Sequence, residues 1–380
     1  MLDVVCQGSP FEMGRAQGSA LAGRIDAARS TLGKIEAFRR QKPWWLPYPL
    51  YRLVAGRKAR HALGGRVSRD WPDFAARLAG LAQGARASLN NLYLFNALEP
   101  LLSSIGGCTA CPGACSAVAV RGSRSAGAAP MLARNFDYLP AVQPLYSVRE
   151  SRPESGRRSL EFTVAPLAGA VDGMNEDGLC ITYNYAFATD NAQASGVPLS
   201  MLICEALRQC ATVADAAAWL ERQQRWGGGL LMLADAGGDI ASLELSTTRS
   251  FLRRPPPGED CLFHTNDFSA PMMREVQVPD DAVYSAAAPA PLRGRRVHRS
   301  SELRNRRFRE LLAASGPLDA DGLAAIMADH GSDGAPSDFT PCVHGAYWFT
   351  TACAQFFPAA RRMRVAYSTA CQPRFAELAL

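Results

Sequence analysis

Hydrophobic positions across residues 10–30 recur at helical spacing, with Leu21, Ile25 and Ala28 on one face. Pro10 suits a first turn and Glu12 the positive end of the helix dipole. Gly14 and Gly18, four positions apart, share a face and leave room for another element to come close. A second amphipathic stretch covers about 72–88, aligning Phe74, Leu78, Leu81 and Ala85, and a third apolar helical piece spans 93–102. The first hundred residues therefore read as mainly helical. After a Gly- and Cys-rich stretch at 106–115 the period changes. Residues 116–120 form a short β-type run, 121–129 a turn, and 131–138 a second strand containing Arg134-Asn135-Phe136-Asp137. Further strands are expected at 160–164, 179–185, 230–234, 240–245 and 363–367, bounded by turns such as Asn175-Glu176-Asp177-Gly178. Helices are expected at 198–209, 212–223, 300–313 and 318–330, and an exposed loop at 284–296. Elements grouped this way predict an α+β fold with layered sheets.

Composition narrows the function classes. A chain of 380 residues with 48% hydrophobic and 20% charged content can bury a large core. The net charge of +6 comes from scattered arginines with few lysines, densest at Arg253-Arg254 and across 293–299, without interleaved aromatics. No nucleic-acid partner is expected from that pattern. The start, Met1-Leu2-Asp3-Val4-Val5-Cys6, has no basic n-region, so no signal peptide is expected. No run of about 18 apolar residues occurs, so no membrane partner is expected either. Eleven cysteines at irregular spacings fit a reducing compartment with buried free thiols, and the cytoplasm is the expected location.

Among those cysteines, Cys115 follows Pro112-Gly113-Ala114 and opens a strand. A cysteine freed at a chain terminus carries its own base, because an α-amine titrates at about 7.7–8.0. That amine can take the thiol proton and return it to a leaving group. Self-cleavage also needs a small residue ahead of the thiol, and Ala114 is small. On its own, however, a cysteine at a strand start is more often a buried structural thiol.

The motifs around it change that balance. Cys115-Ser116-Ala117-Val118-Ala119-Val120 followed by Arg134-Asn135-Phe136-Asp137-Tyr138 resembles the cysteine Ntn-hydrolases, among them acyl-CoA:isopenicillin N acyltransferase, choloylglycine hydrolase and acid ceramidase-like amidases. Asp172-Gly173-Met174-Asn175-Glu176-Asp177-Gly178-Leu179, Tyr183-Asn184-Tyr185 and Thr265-Asn266-Asp267-Phe268 are similar to later motifs of that family. So is Gly8-Ser9-Pro10-Phe11-Glu12-Met13-Gly14 near the start. The resemblance implies an αββα sandwich of two antiparallel sheets between helices. It also implies a self-processing amide hydrolase or acyltransferase, latent until cut, with 1–114 as a helical α segment and 115–380 as the catalytic β segment, the two staying associated. Its substrate would be a small-molecule acyl amide or acyl-CoA, with no metal or organic cofactor required.

By the same resemblance Cys115 is the nucleophile, Arg134 steadies its anion and Asp137 holds the freed amine, while Asn184 and Asn266 donate to the oxyanion. Arg134 and Asp137 are three positions apart, which reverses faces on a regular strand, so a bend or bulge is needed for both to point inward. The same residue types also serve as a surface ion pair and as turn caps. Three alternatives stay open. Gly107-Cys108-Thr109 also spells a processing site, although Pro112 and Gly113 interrupt any strand after it. Cys108, Cys111 and Cys115 have the spacing of an iron–sulfur or zinc site, which would take a fourth ligand such as Cys342 or His344. A catalytically silent binder of acyl ligands is the third. The stretch Trp44-Trp45-Leu46-Pro47-Tyr48 reads as part of an acyl pocket, a lid or a buried core patch.

Overall fold

The computed structural model describes residues 2–104, 113–192 and 196–380. Its helices are α1 (Pro10–Ala20), α2 (Ala22–Thr31), α3 (Glu36–Arg40), α4 (Tyr48–Asp70), α5 (Pro72–Ala85), α6 (Leu89–Ser103), α7 (Leu199–Gln209), α8 (Val213–Arg222), α9 (Pro271–Arg274), α10 (Arg299–Ala314) and α11 (Ala320–Met327). Its strands are β1 (Val4–Gly8), β2 (Ala114–Val120), β3 (Met131–Tyr138), β4 (Tyr146–Pro153), β5 (Ser159–Val164), β6 (Asp172–Asn175), β7 (Cys180–Tyr185), β8 (Val197–Pro198), β9 (Arg225–Trp226), β10 (Gly229–Ala234), β11 (Ile240–Leu245), β12 (Ser250–Arg253), β13 (Cys261–His264), β14 (Phe349–Phe357), β15 (Arg362–Ala366) and β16 (Ala376–Ala379).

Two sheets carry the architecture. One has eight strands in the order β1-β4-β5-β6-β7-β10-β11-β12, the other six in the order β13-β2-β3-β14-β15-β16. They face each other, with β2 against β7 and β10. Helices α7 and α8 cover the outer face of the first sheet. On the outside of the second, Phe308 and Leu312 of α10 and Leu323 and Ile326 of α11 pack onto Val118, Val120, Met131 and Ala133. The result is the expected αββα order. Strands in the middle of such a stack are buried on both faces and lose the apolar–polar alternation of a half-exposed sheet. Accordingly every residue of β2 is buried.

The N-terminal helices flank this sandwich, and β1 adds to its first sheet, parallel to β4. The predicted helix at 10–30 is divided at Leu21, and α1 begins with a full capping box between Ser9 and Glu12. Gly14 and Gly18 do mark a close approach, and the element that uses it is α5. A Cβ on Gly14 would stand 2.0 Å from the Arg77 carbonyl, and one on Gly80 2.0 Å from the Phe11 carbonyl. Among the described residues no helix is long and apolar enough to cross a membrane.

This packing makes a direct prediction. Gly80→Ala forces two helix backbones apart and is expected to lower stability by about 1–3 kcal/mol. Gly65→Ala, on the exposed side of α4 where a Cβ meets nothing within 4 Å, is expected to raise it by about 0.5–1 kcal/mol through helix propensity. Urea unfolding of both variants checks the sign of each change.

Candidate active site

Strand β2 presents alternate residues to its two sides. Cys115, Ala117 and Ala119 lie in the core between the sheets, and Val118 and Val120 in the core under α10 and α11. The antiparallel register with β3 sets Cys115 opposite Phe136, Ala117 opposite Arg134 and Ala114 opposite Asp137. Cross-strand partners share a face, so Arg134 points between the sheets beside the thiol and Asp137 points to the opposite face. The pair is therefore no surface ion pair: Arg134 is 1% exposed and Asp137 is fully buried. The bend or bulge that would turn both inward does not occur: the β2–β3 register is regular, so the two residues take opposite faces, and the irregularity nearby is on β14, between Thr350 and Ala352.

Arg134 Nη2 donates to Cys115 Sγ at 3.2 Å and to the Tyr183 carbonyl at 2.5 Å. Its Nη1 donates to Asp172 Oδ2 at 2.8 Å. Asp172 in turn accepts the Tyr183 N–H at 3.0 Å, so one guanidinium joins the two sheets through β6 and β7. Burial pushes the Cys115 thiol up to about 11 despite the opposing pull of Arg134, and Asp137 and Asp172 add to the rise. The intact chain therefore holds a protonated thiol.

On the far side of β2 stands a second buried guanidinium. Arg304 of α10 donates to the Cys115 carbonyl at 2.6 Å, Ser116 Oγ at 2.8 Å and Asn266 Oδ1 at 2.9 Å, and lies 3.7 Å from Asp137 Oδ2. The other Asp137 oxygen accepts Thr350 Oγ1–H at 2.6 Å. Burial raises the Asp137 carboxyl to about 6, against the pull of Arg304 and the Thr350 hydroxyl. The Cys115 N–H donates to Asn266 Oδ1 at 3.0 Å, while Asn266 Nδ2 donates to the Tyr185 carbonyl at 2.8 Å. Two donors converge on Oδ1, which fixes the orientation of that amide. Asn184 Nδ2 donates to the Thr265 carbonyl at 2.9 Å, and its Oδ1 is buried without a hydrogen-bond partner among the described residues. All five residues expected at the site thus sit within one buried network, and neither asparagine is a turn cap. Arg304 and Asp172 are its additional members.

A largely apolar cavity of about 120 Å³ opens next to this network, with Phe95, Leu145, Leu167 and Phe136 among its lining. Tyr183 and Glu99 supply its polar end, where the Tyr183 hydroxyl donates to Glu99 Oε1. Burial lifts the Glu99 carboxyl to about 7. The tryptophans at 44–45 form neither a wall of this cavity nor a core patch, being 91% and 65% exposed. Of the alternative cysteine cluster, Cys108 and Cys111 lie outside the described residues. Its suggested fourth ligands, Cys342 and His344, gather with His330 and Cys371, not with Cys115.

Two outcomes follow from the burial. Arg304→Met leaves Asp137 as an uncompensated buried charge and is expected to destabilise the fold by about 3–5 kcal/mol, measured by denaturant unfolding. Glu99 titrates higher in the folded chain than in the unfolded one. Its proton therefore stabilises the native state at low pH, and that contribution is lost as pH rises through about 7. Asp137 and Asp172, each lifted to about 6, act in the same direction. The melting temperature should fall between about pH 5 and 8, and Glu99→Gln should flatten the upper part of that fall by about 1 kcal/mol or more. Parallel slopes in variant and wild type would refute the assignment.

Comparison with known proteins gives the arrangement its context. The family model for acyl-coenzyme A:6-aminopenicillanic acid acyl-transferase matches residues 124–368. A Caenorhabditis elegans N-acylethanolamine-hydrolyzing acid amidase ortholog aligns at 11% identity and TM-score 0.44, over 64% of this chain and 93% of that one. Penicillin V acylase from Agrobacterium tumefaciens aligns at 15% identity and TM-score 0.40, over 70% and 86%. A mutant of conjugated bile acid hydrolase from Clostridium perfringens aligns at 12% and 0.40, over 70% and 92%. The family match extends across most of the chain. The chain belongs to the acyl-coenzyme A:6-aminopenicillanic acid acyl-transferase family, and it is an amide hydrolase or acyltransferase.

Proposed function

We propose that the chain cuts its own Ala114–Cys115 bond and then uses Cys115 as the nucleophile on an acyl amide or acyl thioester. The observation that carries this reading is the position of Cys115 at the head of a central strand, its sulfur 3.2 Å from a buried guanidinium and its nitrogen held by Asn266. In the first step the thiol adds to the Ala114 carbonyl and the peptide C–N bond breaks, giving a thioester and a free α-amine. Water then hydrolyses the thioester, releasing residues 1–114 with a carboxylate terminus and restoring the thiol. Before the cut, the Cys115 nitrogen belongs to a peptide bond and accepts no proton, so the intact chain is a zymogen. Afterwards the amine takes the thiol proton and the thiolate attacks the substrate carbonyl, while the amine later protonates the leaving group.

Arg134 stabilises the thiolate electrostatically. Asp137 lies on the amine side of β2 and offers its carboxylate to the ammonium. The Nδ2 groups of Asn184 and Asn266 each have one hydrogen engaged and a second left for the oxyanion, where one donor is worth about 2.7–4 kcal/mol. The acyl chain occupies the apolar cavity between α6 and the sheets. The thioester formed on Cys115 passes to water or to an amine. The two segments stay together after cleavage because β1 is hydrogen-bonded to β4 and the N-terminal helices pack against the rest.

Intact mass and denaturing gels of wild type, Cys115→Ala and Cys108→Ala test the proposal. Wild type and Cys108→Ala should each yield two chains, the larger beginning at Cys115, and Cys115→Ala should remain whole. A single intact chain in every sample, or a new terminus at Cys108, overturns it.

A further inference from the structure

We propose that His330, Cys342, His344 and Cys371 form a structural zinc site. One ligand atom from each of these residues lies within 4.8 Å of all the others. Tetrahedral zinc, with Zn–S of about 2.3 Å and Zn–N of about 2.0–2.1 Å, places its ligand atoms about 3.3–3.8 Å apart. Two of the spacings already have that size: His344 Nε2 is 3.3 Å from Cys342 Sγ and 3.5 Å from Cys371 Sγ. The His330 ring stands edge-on to His344 at 4.9 Å, and its Nε2 is buried with no hydrogen-bond partner among the described residues. A buried, orphaned imidazole nitrogen on a residue that clusters with two thiols and a second imidazole is explained by a shared ion.

The donor set selects the metal. Two thiolates and two neutral imidazoles suit a borderline-soft ion of tetrahedral preference, and the absence of carboxylates among them disfavours magnesium and calcium. Two thiolates also neutralise the dication. Four protein ligands leave no open position, so the ion has a structural role and takes no part in acyl transfer.

Its effect comes from what it ties together. His330, Cys342 and His344 belong to the connection between α11 and β14, and Cys371 follows β15. The same connection holds Thr350: the Val343 N–H donates to Thr350 Oγ1 at 2.8 Å, and the Thr350 N–H donates to the Val343 carbonyl at 2.8 Å. Thr350 Oγ1–H is the donor to Asp137. The zinc thus fixes the loop that fixes Asp137, which makes its four ligands positioning residues.

The full-length chain, purified under reducing conditions without chelator, should contain about one zinc per chain by elemental analysis. After removal of the metal, titration with cobalt(II) should produce thiolate-to-metal charge transfer and tetrahedral d–d bands. The paired substitution Cys342→Ser with Cys371→Ser should abolish that spectrum and cut zinc content at least about tenfold. Because that variant can lose metal by misfolding, His330→Ala and retitration of metal-stripped wild type serve as separate readings, each expected to show weakened or restored binding respectively. The proposal is overturned if reduced wild type takes up neither zinc nor cobalt, or if cobalt binds without charge-transfer bands. It is equally overturned if peptide mapping of promptly alkylated chain finds Cys342 disulfide-bonded to Cys371. None of these readings depends on whether Cys115 is the nucleophile.

Discussion

The structure turns on a buried guanidinium, that of Arg134. Arg134 is held by Asp172 and by the Tyr183 carbonyl of the opposite sheet, its Nη2 also donates to the Cys115 sulfur, and its Nε has no hydrogen-bond partner among the described residues. Removing a cation from water costs several kcal/mol, which only well-placed anions and carbonyls return. The facing sheets must therefore keep their separation and register, or this charge is stranded. That requirement explains the small side chains Ala117 and Ala119, which let the sheets approach where Arg134 crosses. It also gives the aspartate at the head of the Asp172-Gly173-Met174-Asn175 motif its function. Asn175, three positions on, is tied to α7 through the Leu207 and Cys210 carbonyls.

Much of this was legible in the sequence, and the exceptions have physical reasons. Helices with a clean apolar stripe, such as α5, α7 and α8, stand out by period, and strands β2, β3, β10 and β11 by short β-type runs bounded by turn residues. Helix α4 did not, because its buried face includes Gly56, Ala59 and Gly64, small residues that carry little hydrophobic signal. Strand β14 reads Phe-Thr-Thr-Ala-Cys-Ala-Gln-Phe-Phe and is buried at nearly every position, so no alternation marked it. Its Thr350 and Thr351 bind Asp137 and the Phe136 carbonyl, polar roles that the sequence alone does not distinguish from exposure. Arg304 was hidden differently. It lies in an arginine-rich helix where Arg299, Arg306, Arg307 and Arg309 make it look like one more solvated charge. Only the packing of α10 against β2 shows that this one arginine points inward.

The charges at the site also constrain the order of chemical events. In the intact chain two buried cations, Arg134 and Arg304, face two carboxylates, Asp137 and Asp172, and the cluster is neutral when all four are ionised. A thiolate added to that set would be a third anion without access to water; its desolvation, reinforced by Asp137 and Asp172, holds the thiol at about 11. Release of an α-amine at Cys115 would bring a new cation into the same space. Thiolate and ammonium can then form together, by transfer of one proton within the residue, without altering the net charge of the cluster. A buried site tolerates an internal ion pair far better than an isolated charge. If the chain is processed as proposed, the cysteine becomes a working nucleophile toward external acyl substrates only when the peptide bond before it is gone, and latency toward those substrates needs no inhibitory element beyond the bond itself.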